Sequence, residues 1–140
     1  MGGQGGVQHR QSMFGGRPVQ PLECLRYPRH IVEEVSIVYP RDDRALITIE
    51  RPRTLNSLDM STLNALERAA REVADRSLTK VVVVRGRGRA FSSGVDLSLL
   101  GDGDGIDPRA VGEAGRTMIE AFDSIPAVTV AALRGTGGCL

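Results

Sequence analysis

Residues 86 to 97 read GRGRAFSSGVDL and follow four consecutive valines, Val81 to Val84, while residues 134 to 139 read RGTGGC and follow the apolar run AVTVAAL. Both apolar runs read as buried strands, and both end in residues with little or no side chain. In an open α/β sheet, ligands settle just outside the carboxyl ends of such strands. Gly94, Gly137 and Gly138 carry no Cβ, so a ligand oxygen can come within hydrogen-bond reach of the peptide N–H groups beside them. Two such groups converging on one carbonyl oxygen make an oxyanion hole, each donor worth about 2.7–4 kcal/mol once charge develops on that oxygen. The same glycines also suit tight turns leaving the strands, and spacing alone fits either use equally.

Other chemistries fit poorly. Gly86-Arg87-Gly88-Arg89-Ala90-Phe91 begins like a dinucleotide fingerprint, but phenylalanine stands in place of the third glycine. Ser92 and Ser93 have no histidine nearby, and the two histidines, His9 and His30, lie in or next to an unpatterned amino-terminal stretch, which points away from a Ser-His hydrolase. The acidic loop at 101 to 105 lacks the ligand spacing of a calcium loop. Cys24 and Cys139 belong to no zinc-binding cluster and read as two reduced thiols of a cytoplasmic protein. A net charge of +1 gives no field to draw nucleic acid or anionic lipid, and no apolar run nears the roughly 20 residues of a membrane span. Neither nucleic acid nor membrane is therefore expected as a partner.

The elements that must position the strand ends are patterned from His30 onward. Residues 1–30, rich in Gly, Gln, Arg and Pro, read as a disordered extension. Two alternatives are a basic arm using Arg10, Arg17, Arg26 and Arg29, and a true start at Met13 or later. Val35 to Tyr39 and Leu46 to Ile49 predict a hairpin turning through Pro40 to Arg44. The stretch RPRTLNSLD that follows is too broken for regular structure. Asp59 then caps a helix whose apolar face is Met60, Leu63, Leu66, Ala70 and Val73. Asp107-Pro108 starts a second helix, with Val111, Ala114, Met118, Ile119, Phe122 and Ile125 inward and Glu113 and Glu120 in solvent. The order is β-β-α-β-loop-α-β, an α/β domain in which the strands at 81–84 and 127–133 are expected to be covered on both faces.

ERPRTLNSLD, STLNALERAAREVAD, KVVVVRGRGRAFSSGVDLSLL and SIPAVTVAALRG together resemble the first half of the crotonase family, the enoyl-CoA hydratases and isomerases. The resemblance covers about residues 35 to 135, with four motifs in the family's order. It implies a partial β-β-α spiral over residues 31–140, a truncated crotonase-like domain, acting on an acyl-CoA thioester through an enolate. Coenzyme A enters as part of the substrate, and no metal or redox cofactor is implied. The two oxyanion donors fall on the backbone of Val95 and of Gly137, or Gly138 after a one-residue slip. Arg53, Thr54 and Leu55, with Ser93, Asp96 and Leu97, are implied to line coenzyme A. Solvated charge is an equal alternative for Arg53, and a cap on the turn 97–100 is the favoured alternative for Asp96. Phe91 is expected to pack beneath the loop.

The resemblance also marks departures. Two catalytic glutamates are implied, yet Leu140 stands where the first would fall and the second lies beyond it. Gly135-Thr136-Gly137-Gly138 is about two residues shorter than the family pattern. Relatives of full length are implied to form trimers, with surfaces this chain would expose, including the strand ending at Leu133. A truncated reading frame is expected, with a non-catalytic remnant or a weak CoA-binding or subunit-interaction module as the alternative to an enzyme.

Overall fold

The structure, a computed structural model, describes residues 29–100 and 107–135. Five strands form one sheet in chain order: β1 (His30–Val32), β2 (Val35–Arg41), β3 (Arg44–Ile49), β4 (Val81–Gly86) and β5 (Val128–Ala132). The first three pair antiparallel, and β4 adds to β3, and β5 to β4, in parallel. The parallel pairs need crossovers, which α1 (Met60–Ala74) and α2 (Pro108–Asp123) supply.

The hairpin forms as expected, but its turn is tighter. β2 runs on through Pro40 to Arg41, and the register slips between Val38 and Arg41, a bulge that tolerates a residue without an N–H. β1 has no counterpart in the sequence reading, since three residues are too few to show alternation.

Helix α1 starts where Asp59 accepts the Thr62 N–H at 2.8 Å. Leu63, Leu66, Ala70 and Val73 are buried, together with Ala65 and Ala69. These small residues lie in one core with Val35, Ile37, Ile47, Ile49, Val82 and Val84 of the sheet and Ala121 and Ile125 from α2 and its end. Asp107 caps α2 by accepting the Arg109 N–H at 2.9 Å, with Pro108 in the first turn. Its apolar face needs one correction. Ile119 is 56% exposed, whereas Ala121 is buried, because the inward stripe passes through Met118, Ala121 and Ile125 and leaves Ile119 about 100° away.

The two strands expected to be covered on both faces are not. In β4 only Val82 and Val84 are buried, and Val81 and Val83 are partly open. β5 is exposed along its whole length, with Val128 at 65% and Val130 at 44%. The helices cover a single face. On the other, the register lines up Val38, Leu46, Val83 and Val130 in an apolar row that ends at β5, whose outer edge has no partner among the described residues. The composition of β5 suits burial, but no layer among the described residues supplies it.

Candidate functional site

The site is built by two irregular segments that lock together, 51–58 after β3 and 86–98 after β4. Pro52–Thr54 makes a single 3-10 turn, and Leu55 and Asn56 then take left-handed backbone, φ 54° and 56°. That reversal drives the Asn56 side chain inward, where it is fully buried. Its Oδ1 accepts the Arg51 N–H at 2.9 Å, and its Nδ2 donates to the carbonyls of Arg87 at 3.0 Å and Ala90 at 2.8 Å. Asn56 thus pins the first bend of the second segment.

Gly86 is required at that bend, because a Cβ there would run into the carbonyls of Ala90 and Phe91 and the Asn56 amide. After Gly86 the chain turns through Gly88 without opening a helix. Phe91 packs half-buried against the core beneath the loop, as expected. Arg51 braces the first segment from behind: Nε meets Glu34 at 2.7 Å and Nη2 meets the helix-capping Asp59 at 2.9 Å.

Beyond Phe91 the two segments run side by side. The Ser93 N–H donates to the Leu55 carbonyl at 3.0 Å, and the Ser93 hydroxyl donates to the Thr54 carbonyl at 3.4 Å. Leu58 and Val95 form a parallel bridge: the Leu58 N–H donates to the Gly94 carbonyl at 2.8 Å, and the Asp96 N–H donates to the Leu58 carbonyl at 3.0 Å. In a trans peptide the C=O and the next N–H point in opposite directions. With the Gly94 carbonyl held by Leu58, the Val95 N–H is turned outward, and it finds no acceptor among the described residues. Gly94 has φ 90°, which other residues rarely adopt, and a Cβ there would meet nothing within 4 Å, so the space above this peptide is open.

Asp96 caps the short turn Leu97–Leu100. Its Oδ1 accepts the Ser98 N–H at 3.1 Å and its Oδ2 accepts the Ser57 hydroxyl at 2.9 Å. The Ser98 backbone N–H first, then the Ser98 and Ser57 side chains, hold the Asp96 carboxyl below its usual range. A carboxylate so stabilised is a weak base.

Thr54, Leu55, Ser93 and Asp96 are therefore brought together, with Val95 among them. Arg53 is exposed, makes no ion pair among the described residues, and lines a groove of about 530 Å³ with Glu34, Arg51, Thr54 and Arg87. Leu97 is 79% exposed. Gly137 and Gly138 lie outside the described residues, but the approach to them is visible: the Phe91 N–H donates to the Arg134 carbonyl at 3.1 Å, tying the end of β5 to the loop after β4. At Gly135, φ 72°, a Cβ would collide with the Arg89 carbonyl. A hollow of about 450 Å³ lies between the two strand ends, lined by Arg85 to Gly88 and by Ala132 to Arg134.

The profile of the enoyl-CoA hydratase/isomerase family matches residues 43–140. The chain belongs to this family. It is 29% identical to a short-chain-enoyl-CoA hydratase of Clostridium acetobutylicum, covering 68% of the chain and 38% of that protein. It is 32% identical to a Δ(3,5)-Δ(2,4)-dienoyl-CoA isomerase of Pyricularia oryzae, covering 72% and 41%. The crystal structure of an enoyl-CoA hydratase from Bacillus anthracis superposes with a TM-score of 0.62 at 26% identity, covering 74% of this chain and 40% of that one. The fold is accordingly a partial crotonase fold, and the chain spans about two fifths of the length of these relatives. Hydratase and isomerase names both occur among them, so family membership alone selects neither reaction.

The sequence reading gives Asn56, Ser57 and Leu58 no role beyond their place in a quoted motif, and it weighs Ser92 only as a nucleophile, which it sets aside. An asparagine after a 3-10 turn hints at left-handed backbone, which Asn tolerates better than most residues. Nothing in the sequence announces that Ser92 and Ser57 brace the loop rather than react.

Proposed function

We propose that this chain binds an acyl-CoA thioester and polarises its carbonyl through the Val95 N–H, the first donor of an oxyanion hole whose second donor is Gly137. The outward Val95 N–H, held by the Leu58–Gly94 hydrogen bond and left without an acceptor among the described residues, carries this reading. Coenzyme A lies along the joined segments, touching Arg53, Thr54 and Leu55 on one side and Ser93, Asp96 and Leu97 on the other. No metal or redox group is needed to polarise a carbonyl with two N–H donors.

Proton transfer is a separate matter. Leu140 stands where the first family glutamate is expected, and Asp96 is a capped, weakly basic carboxylate. General acid and base groups each contribute about 100- to 10,000-fold. These 140 residues should then bind and polarise crotonyl-CoA while hydrating it near the uncatalysed rate.

The test is one titration with two readouts. Crotonyl-CoA should raise the thermal transition, by about 2.7 kcal/mol of stability at a hundred times the dissociation constant. The absorbance of the conjugated enoyl thioester should stay constant. An unmoved transition would overturn binding, and steady loss of the enoyl absorbance would overturn inactivity. The exposed β5 favours a second reading, a non-catalytic remnant or subunit-interaction module. A cooperative transition indifferent to crotonyl-CoA would support it.

A further inference from the structure

We infer that Ser92 is a positioning residue for the Val95 N–H donor, an assignment that rests on the oxyanion reading above. Its hydroxyl is used twice. It donates to the Asn56 carbonyl at 2.8 Å and accepts the Gly94 N–H at 3.1 Å. A hydroxyl carries one donor and two acceptor lone pairs, so a single side chain can bridge the two segments in this way. An alanine can make neither bond.

The contacts fall on three consecutive peptide planes, of which the Gly94–Val95 peptide, carrying the Val95 N–H, is the middle one. Ser92 Oγ accepts the Gly94 N–H of the plane before it, the Leu58 N–H donates to the Gly94 carbonyl of the plane itself at 2.8 Å, and the Leu58 carbonyl accepts the Asp96 N–H of the plane after it at 3.0 Å. Glycine at φ 90° has the widest freedom of any residue, and the open space above it offers no packing to limit that freedom. Hydrogen bonds must do what a side chain would do elsewhere. Of the three, only the Ser92 contact is made by a side chain, and it is also anchored to Asn56, which is fully buried and bound to Arg51, Arg87 and Ala90. Ser92 therefore transmits the rigidity of the core to a peptide that has no side chain of its own. Among the described residues its hydrogen-bond partners include no histidine or other base, so it acts through Val95 and not on substrate.

The experiment follows the Val95 and Gly94 amides by NMR in the full 140-residue chain. Butyryl-CoA is compared with S-butyl-CoA, a thioether of the same shape that lacks only the carbonyl oxygen. In the parent chain the Val95 amide should respond to the thioester and not to the thioether. Ser92→Ala should bind S-butyl-CoA as before but lose about tenfold in preference for the thioester, with the Val95 response diminished. Ser92→Thr, which keeps the hydroxyl, should restore both. No Val95 response in the parent would overturn the oxyanion reading itself. A parent response that Ser92→Ala leaves intact would overturn only the role of Ser92. Should Ser92→Ala fail to fold, hydrogen exchange in the parent decides: the Gly94 amide must exchange more slowly than the Val95 amide, and equal rates would overturn the assignment.

Discussion

Asn56→Ala is the perturbation that most directly tests how the two segments are locked. Asn56 is fully buried and makes three side-chain hydrogen bonds, to the Arg51 N–H at 2.9 Å, the Arg87 carbonyl at 3.0 Å and the Ala90 carbonyl at 2.8 Å. Only the Ala90 bond is wholly buried, so its carbonyl loses its one partner among the described residues, at about 1–3 kcal/mol. Water can reach the other two groups, and each loss there costs about 0.5–1.5 kcal/mol. Asn56 also sits at φ 56°, where an alanine pays roughly 1 kcal/mol that asparagine largely escapes. We expect Asn56→Ala to lose about 3–7 kcal/mol in urea unfolding followed by far-UV circular dichroism, at unchanged m. Asn56→Gly should recover about 1 kcal/mol of that, the backbone part. Asn56→Asp keeps the acceptor for Arg51 but sets a second oxygen against two carbonyls, so it should be no better than alanine. A loss below about 1 kcal/mol for Asn56→Ala, or a parent-like Asn56→Asp, would refute the view that this amide holds the loop.

Four further outcomes follow from the same geometry. Gly86→Ala should lose about 2 kcal/mol or more, because its Cβ meets two backbone carbonyls that cannot swing away; an unchanged urea midpoint would contradict this. Val130→Lys, at the exposed edge, should leave stability within about 0.5 kcal/mol while lowering light scattering on concentration; loss of the folded baseline would show that β5 is covered. The Tyr39 phenol, desolvated and facing Glu72, is pushed up to about 12. That pKa is raised on folding, so the stability it gives is complete below about pH 10, the unfolded value, and is lost as pH rises through the folded value. Tyrosinate absorbance in a Tyr27→Phe background should show it, and titration at the ordinary value would count against it. For Asp96 the sign reverses: the pKa is lowered, so its contribution is present above about pH 4 and fades as pH falls through the folded value. The stability gap between the parent and Asp96→Asn should close on acidification, and a constant gap would remove the charge from the account.

The helices are legible in the sequence because their signals are local. Asp59 and Asp107 are caps by residue type and position, and Leu63, Leu66, Ala70 and Val73 repeat at a helical period. The strands are legible as strands, but their burial is not. AVTVAAL reports what a strand is composed to meet, not what stands beside it, and β5 is open on the described surface. Ile119 misleads for a related reason, since an isoleucine next to Met118 looks inward until the stripe is traced through Ala121. In the site, the glycine-bracketed stretch 86–97 is conspicuous, whereas the residues that aim it are not. Asn56, Ser57 and Ser92 are ordinary polar residues, and the partners by which they join the two segments lie 31 to 39 positions away.

A backbone donor places its sequence requirements on its neighbours. The Val95 side chain is 41% exposed and contributes nothing to the N–H that points from its peptide. What must be kept is the frame: a residue without Cβ at Gly94, an acceptor hydroxyl at Ser92, and a strand-like partner at Leu58. Every member of that frame lies between Arg51 and Ser98, on the stretch leading into α1 and the loop after β4. None comes from β5. One half of the site is thus built by the part of the sheet whose helix-facing side is packed, while the strand leading towards Gly137 is exposed along its whole length. Order in the two halves should therefore separate on mild denaturation: the hydrogen-bonded amides of Asn56, Leu58, Ser93 and Asp96 should stay protected after those of β5 have exchanged. Simultaneous exchange of both sets would mean that β5 is an integral part of the same cooperative unit.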